Sequence, residues 1–136
     1  MWTSISPLQG ERKEIVKEYL TKHPEWYDGY DDLTVMHAHF YQVLGQADEF
    51  IAFFALCYWE CEVVLACVYV FEQYREHGVF NEIAKFAKRK TPPHHWCTIN
   101  AMRGNKLANE IYNKKFKFHH VDEIEDCNWY VIKSAQ

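Results

Sequence analysis

The stretch Val70-Phe71-Glu72-Gln73-Tyr74-Arg75-Glu76-His77-Gly78-Val79-Phe80 decides how this chain is read. It follows an unbroken apolar run, Val63 to Val70, and leads into a helical pattern in which Val79, Phe80, Ile83, Ala84 and Ala87 share one face. An apolar strand, a short loop carrying Arg and Gly, and then a helix make an anion site. Loop amides and the helix N-terminus can converge on one phosphate. A phosphorylated cofactor is therefore the first expectation.

Outward from that stretch, Phe50 to Tyr58 and Val63 to Val70 read as two strands apolar on both faces, hence central and covered on both sides. The turn between them, Trp59 to Cys61, is poorly marked. The helix from Val79 ends near Lys90, closed by Thr91-Pro92-Pro93. Trp96 to Ala101 is the next strand, and Leu107, Ala108, Ile111 and Tyr112 line a helix from Asn105 to Lys115. Phe116 to Val121 and Trp129 to Ile132 form a closing hairpin. Upstream, Trp2 to Ile5 reads as a short strand. Ser6 and Pro7 read as the cap and first residue of a helix carrying Leu8, Ile15, Val16, Tyr19 and Leu20 on one face. Glu25 to Asp32 is an aromatic, acidic loop. Leu33, Met36, His37 and Phe40 suggest a second helix, and Tyr41 to Leu44 a strand. The order βααβββαβαββ predicts an α/β (α+β) fold: a mixed central β-sheet with helices on both faces.

The chain has 136 residues, the size of one domain, and 49% of them are apolar. A formal charge of −4 argues against a nucleic-acid partner, although Lys85, Lys88, Arg89 and Lys90 cluster, as do Lys106, Lys114, Lys115 and Lys117. Five cysteines without framework spacing read as free thiols in a reducing compartment. Met1-Trp2-Thr3-Ser4 lacks the basic and apolar regions of a signal peptide. The longest apolar run, Phe50 to Trp59, falls well short of the ~20 residues of a spanning helix. The expectation is a soluble cytoplasmic protein, monomer or homodimer, with no membrane partner.

With these elements in place, the chain resembles the GNAT superfamily of acyl-CoA N-acyltransferases. Their fingerprint is Val-x-x-x-x-(Arg/Gln)-x-x-Gly-x-(Gly/Ala). Val70, Arg75 and Gly78 match it, and Phe80 replaces the final small residue. Their second signature, Asn-x-x-Ala-x-x-x-Tyr, is present as Asn105 to Tyr112, without the Gly that usually follows in the stretch Asn113 to Phe116. The match is good over 40–132; the first 40 residues agree in element order only.

The resemblance implies that the strand ending at Val70 splays from the strand starting near Trp96. The pantetheine arm of acetyl-CoA would lie in the gap, paired with backbone groups of Val68, Tyr69 and Val70. Amides of Arg75, Glu76, His77, Gly78, Val79 and Phe80 would hold the pyrophosphate, provided the Phe80 ring turns away. Asn105 would cap its helix or touch the cofactor. Tyr112 occupies the place of the acid that protonates the leaving thiolate; its other reading is an aromatic on the helix's apolar face. Glu62 overlays a catalytic Glu of the histone-modifying members and is a candidate base, against a solvated hairpin end. Glu60 and a water-relayed base compete with it. Arg75 either contacts phosphate or is a solvated loop residue.

The implied reaction moves an acetyl group to an amine acceptor, a small molecule or a protein lysine or N-terminus. Glu25, Asp28, Asp31 and Asp32 favour a cationic acceptor. A second expectation is a catalytically inactive GNAT-like domain, of a kind that also occurs in phages, binding a protein partner; a third is a domain that senses CoA. The aromatic loop Trp26 to Tyr30 suits either an acceptor pocket or a docking patch. His94, His95, Cys97, His119, His120 and Cys127 follow no zinc spacing, so no metal is expected. Cys67 and Cys97 read as buried thiols rather than nucleophiles.

Overall fold

Two neighbouring strands, β3 (Phe50–Tyr58) and β4 (Glu62–Val70), form the centre of the computed structural model, which describes residues 3–23, 38–102, 105–115, 119–124 and 127–135. Both are buried along most of their length, as continuous apolar runs require. Around them lie β1 (Ser4–Pro7), α1 (Arg12–Lys22), β2 (His39–Leu44), α2 (Val79–Lys90) and β5 (Trp96–Met102). Helix α3 (Lys106–Glu110) runs directly into a π-helical turn, Ile111–Lys115. β6 (His119–Ile124) and β7 (Cys127–Lys133) complete one seven-stranded sheet of order β1-β2-β3-β4-β5-β7-β6.

β4 and β5 are the parallel pair, and every other pairing is antiparallel. A parallel pair needs a crossover, and α2 supplies it. α2 buries Val79, Ile83, Ala84 and Ala87, the face that the helical spacing predicts. It packs on Phe54, Leu56, Val63, Leu65, Cys97 and Ile99. The opposite face of the sheet carries Ala55, Cys57, Val64, Ala66 and Cys67, met by Leu20 of α1 and by Phe40 and Trp129. The mixed sheet thus has helices on both faces, as expected. Among the described residues no helix is long and apolar enough to cross a membrane.

Two sequence expectations are corrected near the N-terminus. Ser6 and Pro7 do not open a helix; they end β1, and α1 begins at Arg12. β1 is an edge strand, where a residue without an N–H is tolerated. The Ser6 hydroxyl accepts from buried Gln42 Nε2 at 3.2 Å, a partner 36 positions away, so it is not available to cap a helix. Phe40 lies in β2, paired with Ala55, instead of ending a second helix. Leu33, Met36 and His37 of that expected helix lie outside the described residues, as do Trp2, the loop Glu25 to Asp32 and Phe116 to Phe118 of the expected hairpin.

β4 contains an irregularity with consequences for the site. Phe53 pairs with Tyr69, but Ala55 pairs with Ala66, so Phe54 stands opposite both Cys67 and Val68. Cys67 is the bulged residue and has a left-handed φ of 51°. The extra residue re-phases the strand. Val63 and Leu65 face α2 before it, and Val68 and Val70 pack on that same cluster after it.

Candidate active site

The β4–β5 ladder runs from Glu62↔Trp96 to Leu65↔Ile99 and stops there. β4 continues to Val70 paired with β3 alone, while β5 beyond Ile99 pairs with β7. The two parallel strands therefore stop pairing just before the bulge at Cys67, leaving an unpaired cleft beside β4.

Phe71 N–H reaches Ile51 O at 3.0 Å, and Val70 stands opposite Ala52. The alternation of an antiparallel ladder then directs the amide and carbonyl of Tyr69 towards β3 and those of Val68 and Val70 towards the cleft. Val68 and Val70 are placed to pair with an extended guest, whereas Tyr69 is not. Its ring joins an aromatic group with Tyr19, Phe53 and Phe71 on the α1 face. Val70 O already accepts from Arg75 Nε at 2.8 Å, and the Arg75 guanidinium lies 5.3 Å from the Tyr69 ring centroid. Arg75 is thus folded back onto the end of β4. A carbonyl has a second lone pair, so a guest can share Val70 O or displace Arg75.

After the 3₁₀ turn Glu72–Tyr74, the loop takes two left-handed residues, Glu76 (φ 66°) and Gly78 (φ 80°). Gly78 is the N-cap of α2, which has no side-chain cap, and a Cβ built on it meets nothing within 4 Å. The first-turn amides of Val79, Phe80 and Asn81 have no intrahelical acceptor by construction. Phe80 does not fill the space at Gly78. Its ring stacks on Tyr112 with centroids 5.6 Å apart and 24° between planes, packed against the core. Glu76 and His77 are exposed at the loop tip, and Glu82 in the first helical turn pairs with Lys85 at 3.7 Å. The cleft and the open helix end fit a pantetheine arm leading to a diphosphate; the carboxylates of Glu76 and Glu82 oppose the anion in part.

Tyr112 lies in the π turn, with Phe80 on one side and the edge of Tyr130 on the other (centroids 5.6 Å apart, 71° between planes). Burial raises its phenol well above the usual tyrosine value, with a smaller push from Tyr130. Tyr112 is therefore protonated throughout the neutral range. Tyr130 OH donates to Asn109 Oδ1, which also accepts from Asn128 Nδ2 at 2.9 Å. Asn105 caps α3: its Oδ1 accepts from Ala108 N–H at 3.1 Å.

Glu62 sits at the first position of β4. Its Oε2 accepts from the buried Thr98 hydroxyl at 2.7 Å. Glu62, Val64 and Thr98 lie on the sheet face away from α2, while Tyr112 packs into the cluster on the α2 side. The structure does not bring Glu62 and Tyr112 together. Along the strand, Glu62 is three residues from the parting at Leu65, roughly 10 Å.

Of the discounted groups, Cys67 is buried and its thiol is pushed up to about 12, and burial raises Cys97 as well. Neither is a thiolate at neutral pH. Among the described residues no group of three His, Cys, Asp or Glu side chains could hold a metal. The bulge at Cys67, the Thr98 partner and the Asn109–Asn128–Tyr130 cluster were not foreseen. Asn109 falls inside the second signature and offered a signal; Cys67 offered none.

No family model matches the chain, and no curated protein matches it. Solved structures do. The chain superimposes on an IAA acetyltransferase from Bacillus cereus with TM-score 0.67 and 13% identity, over 96% of this chain and 98% of that one. It matches apo YjaB from Escherichia coli with TM-score 0.65 and 17% identity, over 99% and 100%. It matches Arabidopsis thaliana NAA60 in complex with acetyl-CoA with TM-score 0.60 and 14% identity, over 96% and 97%. The chain has the fold of the GNAT acetyltransferases: a small GNAT-fold domain along nearly its whole length.

Proposed function

We propose that the protein is an N-acetyltransferase that moves an acetyl group from acetyl-CoA to an amine acceptor. The observation that carries this reading is the end of the β4–β5 pairing at Leu65↔Ile99, beyond which Val68 and Val70 turn backbone groups away from β3 on the way to the loop at Gly78. The structural likeness to acetyltransferases, one of them an acetyl-CoA complex, supports it.

In this reading Val68 and Val70 present backbone groups to the pantetheine arm, and the amides from Arg75 to Phe80 receive the pyrophosphate. Acetyl-CoA supplies the thioester: the amine nitrogen bonds to the acetyl carbon, the C–S bond breaks, and the sulfur leaves with the electron pair. Tyr112, protonated in the neutral range, gives its proton to that sulfur and recovers one from solvent, so that no phenolate persists in the buried site. The proton lost by the amine goes to solvent or, through water, to Glu62, whose distance from the parting of the strands excludes direct contact. Asn105 serves by capping α3 and so placing Tyr112. The free thiols Cys57, Cys61, Cys67, Cys97 and Cys127 suit a cytoplasmic setting.

Calorimetry with acetyl-CoA tests the reading. Saturable heat at submillimolar ligand is expected, and its absence from folded protein rejects the cofactor site. Tyr112→Phe should keep that heat and lose about 10²–10⁴-fold in turnover; unchanged turnover removes Tyr112 as the acid. A second reading, a domain that binds a protein partner without transfer, is favoured by one contact, Arg75 Nε on Val70 O. If that contact closes the cleft, Arg75→Ala gains acetyl-CoA binding that the parent chain lacks.

A further inference from the structure

At the end of the sheet away from the phosphate loop, a carboxylate lies between two exposed tryptophans. Trp59 N–H donates to Glu62 O at 2.8 Å across the β3–β4 hairpin, which sets Trp59 opposite Glu62. Trp96 pairs with Glu62 on the other side. Alternation from Cys57 puts Trp59 on the face away from α2. Thr98, which bonds the Glu62 carboxylate, puts Trp96 on that same face. The residue that follows β3 and the first residues of β4 and β5 therefore stand side by side as Trp, Glu and Trp, with about 4.8 Å between neighbouring backbones. Trp59 is 49% exposed and Trp96 41%, although large aromatics are ordinarily well buried. Among the described residues the partner of the Glu62 carboxylate is the Thr98 hydroxyl, and no Lys or Arg pairs with it. Exposed Glu60 in the turn adds negative charge.

We propose that Trp59, Glu62 and Trp96 form a binding site for an alkylammonium group, and that its ligand is a linear polyamine. Aromatic faces and a carboxylate both attract a cation. An anion would be repelled, and a neutral ligand would leave the carboxylate uncompensated. With Oε2 engaged by Thr98, one oxygen remains well placed. That suits the point charge of an ammonium better than the two-pronged fork of a guanidinium. The inference rests on the transferase reading for what the ligand does next. The anchored charge lies roughly 10 Å along β4 from the parting of the strands, so the anchored nitrogen and the acetylated nitrogen are different atoms of one extended molecule. A flexible chain with amines at both ends meets that requirement.

The test is titration of the full chain, without any cofactor, with spermidine, followed by tryptophan fluorescence and calorimetry. A neutral diol of similar length and a lysine peptide run in parallel. Saturable binding of spermidine, absent for the diol, is expected. Glu62→Gln should weaken it at least tenfold with an unchanged circular dichroism spectrum. Trp59→Leu with Trp96→Leu, which keeps apolar bulk but removes the aromatic faces, should weaken it likewise. Equal binding of the diol, or unaltered spermidine affinity in either variant, overturns the proposal. Binding of the lysine peptide without spermidine also overturns the polyamine assignment. Because acetyl-CoA binding is read separately, spermidine binding with no acetyl-CoA heat would remove the transferase and leave the cation site standing. Acetyl-CoA heat without spermidine binding would do the reverse.

Discussion

Gly78 shapes the loop before α2 in two ways. Its φ of 80° costs a residue with a Cβ about 1–2 kcal/mol, and the space in front of it is where an anion would meet the first amides of α2. Gly78→Ala meets no steric obstacle, so its cost is conformational. The expected loss in urea denaturation is about 1–2 kcal/mol, with weaker acetyl-CoA heat as the amides turn. Gly78→Asn should lose less, because Asn tolerates this conformation. This glycine was readable in the sequence. Cys67 and Glu76 adopt left-handed backbone without any glycine to announce it, and so the bulge in β4 could not be read. The thiols separate as sharply. Cys61 is exposed and the other four are buried. A thiol reagent should modify one cysteine of the native protein quickly and all five after denaturation. Fast native modification of Cys67 or Cys97 would contradict their burial.

Among the elements, α2, β3 and β4 were legible because a single physical demand shapes each: amphipathic spacing for the helix, burial on both faces for the strands. The first strand was legible, but its end was misplaced, because Ser6 and Pro7 answer to a neighbour distant in sequence, Gln42, and to an edge position. The π turn after Glu110 was invisible. Its register is set by how Tyr112 packs between Phe80 and Tyr130, which joins α2, α3 and β7. Phe80 therefore supplies the contact between α2 and the π turn. Since it is half-buried, Phe80→Ala should cost about half of the ~3–5 kcal/mol of a fully buried ring. It should also admit water to Tyr112 and lower the titration of that phenol. Phenolate absorbance in an alkaline titration, with Tyr112→Phe to assign the signal, measures the shift. An unmoved titration would mean that Phe80 does not shield the hydroxyl.

Across the whole molecule, the sheet divides the candidate chemistry. Tyr112 lies on the α2 side and Glu62 on the other, and the pairing of β4 with β5 ends at Leu65↔Ile99. The loop ending at Gly78 and the helical position of Tyr112 could be read from local patterns. The Glu62–Thr98 bond and the Trp59–Glu62–Trp96 row depend on strand register, which joins residues more than thirty positions apart. The same two-sided burial makes the fold sensitive to alkali. Burial pushes the Cys57 thiol up to about 11 and that of Cys67 up to about 12, against about 8.5 in an unfolded chain. Their folded values lie above the unfolded ones, so the unfolded chain releases protons first as the pH rises. Stability is then complete below about pH 8.5 and declines towards pH 11–12, by up to about 1.4 kcal/mol per pH unit for each thiol. Tyr112, also raised, adds to the slope above about pH 10. Urea midpoints measured under reductant should hold steady from pH 7 to 8.5 and fall steadily to pH 10.5. Cys67→Ala should start from a lower midpoint at pH 7 but fall less steeply, because it has removed one of the titrating groups. Parallel curves for the two proteins would mean that water reaches Cys67 in the native state, and the bulge would then be open to the cleft.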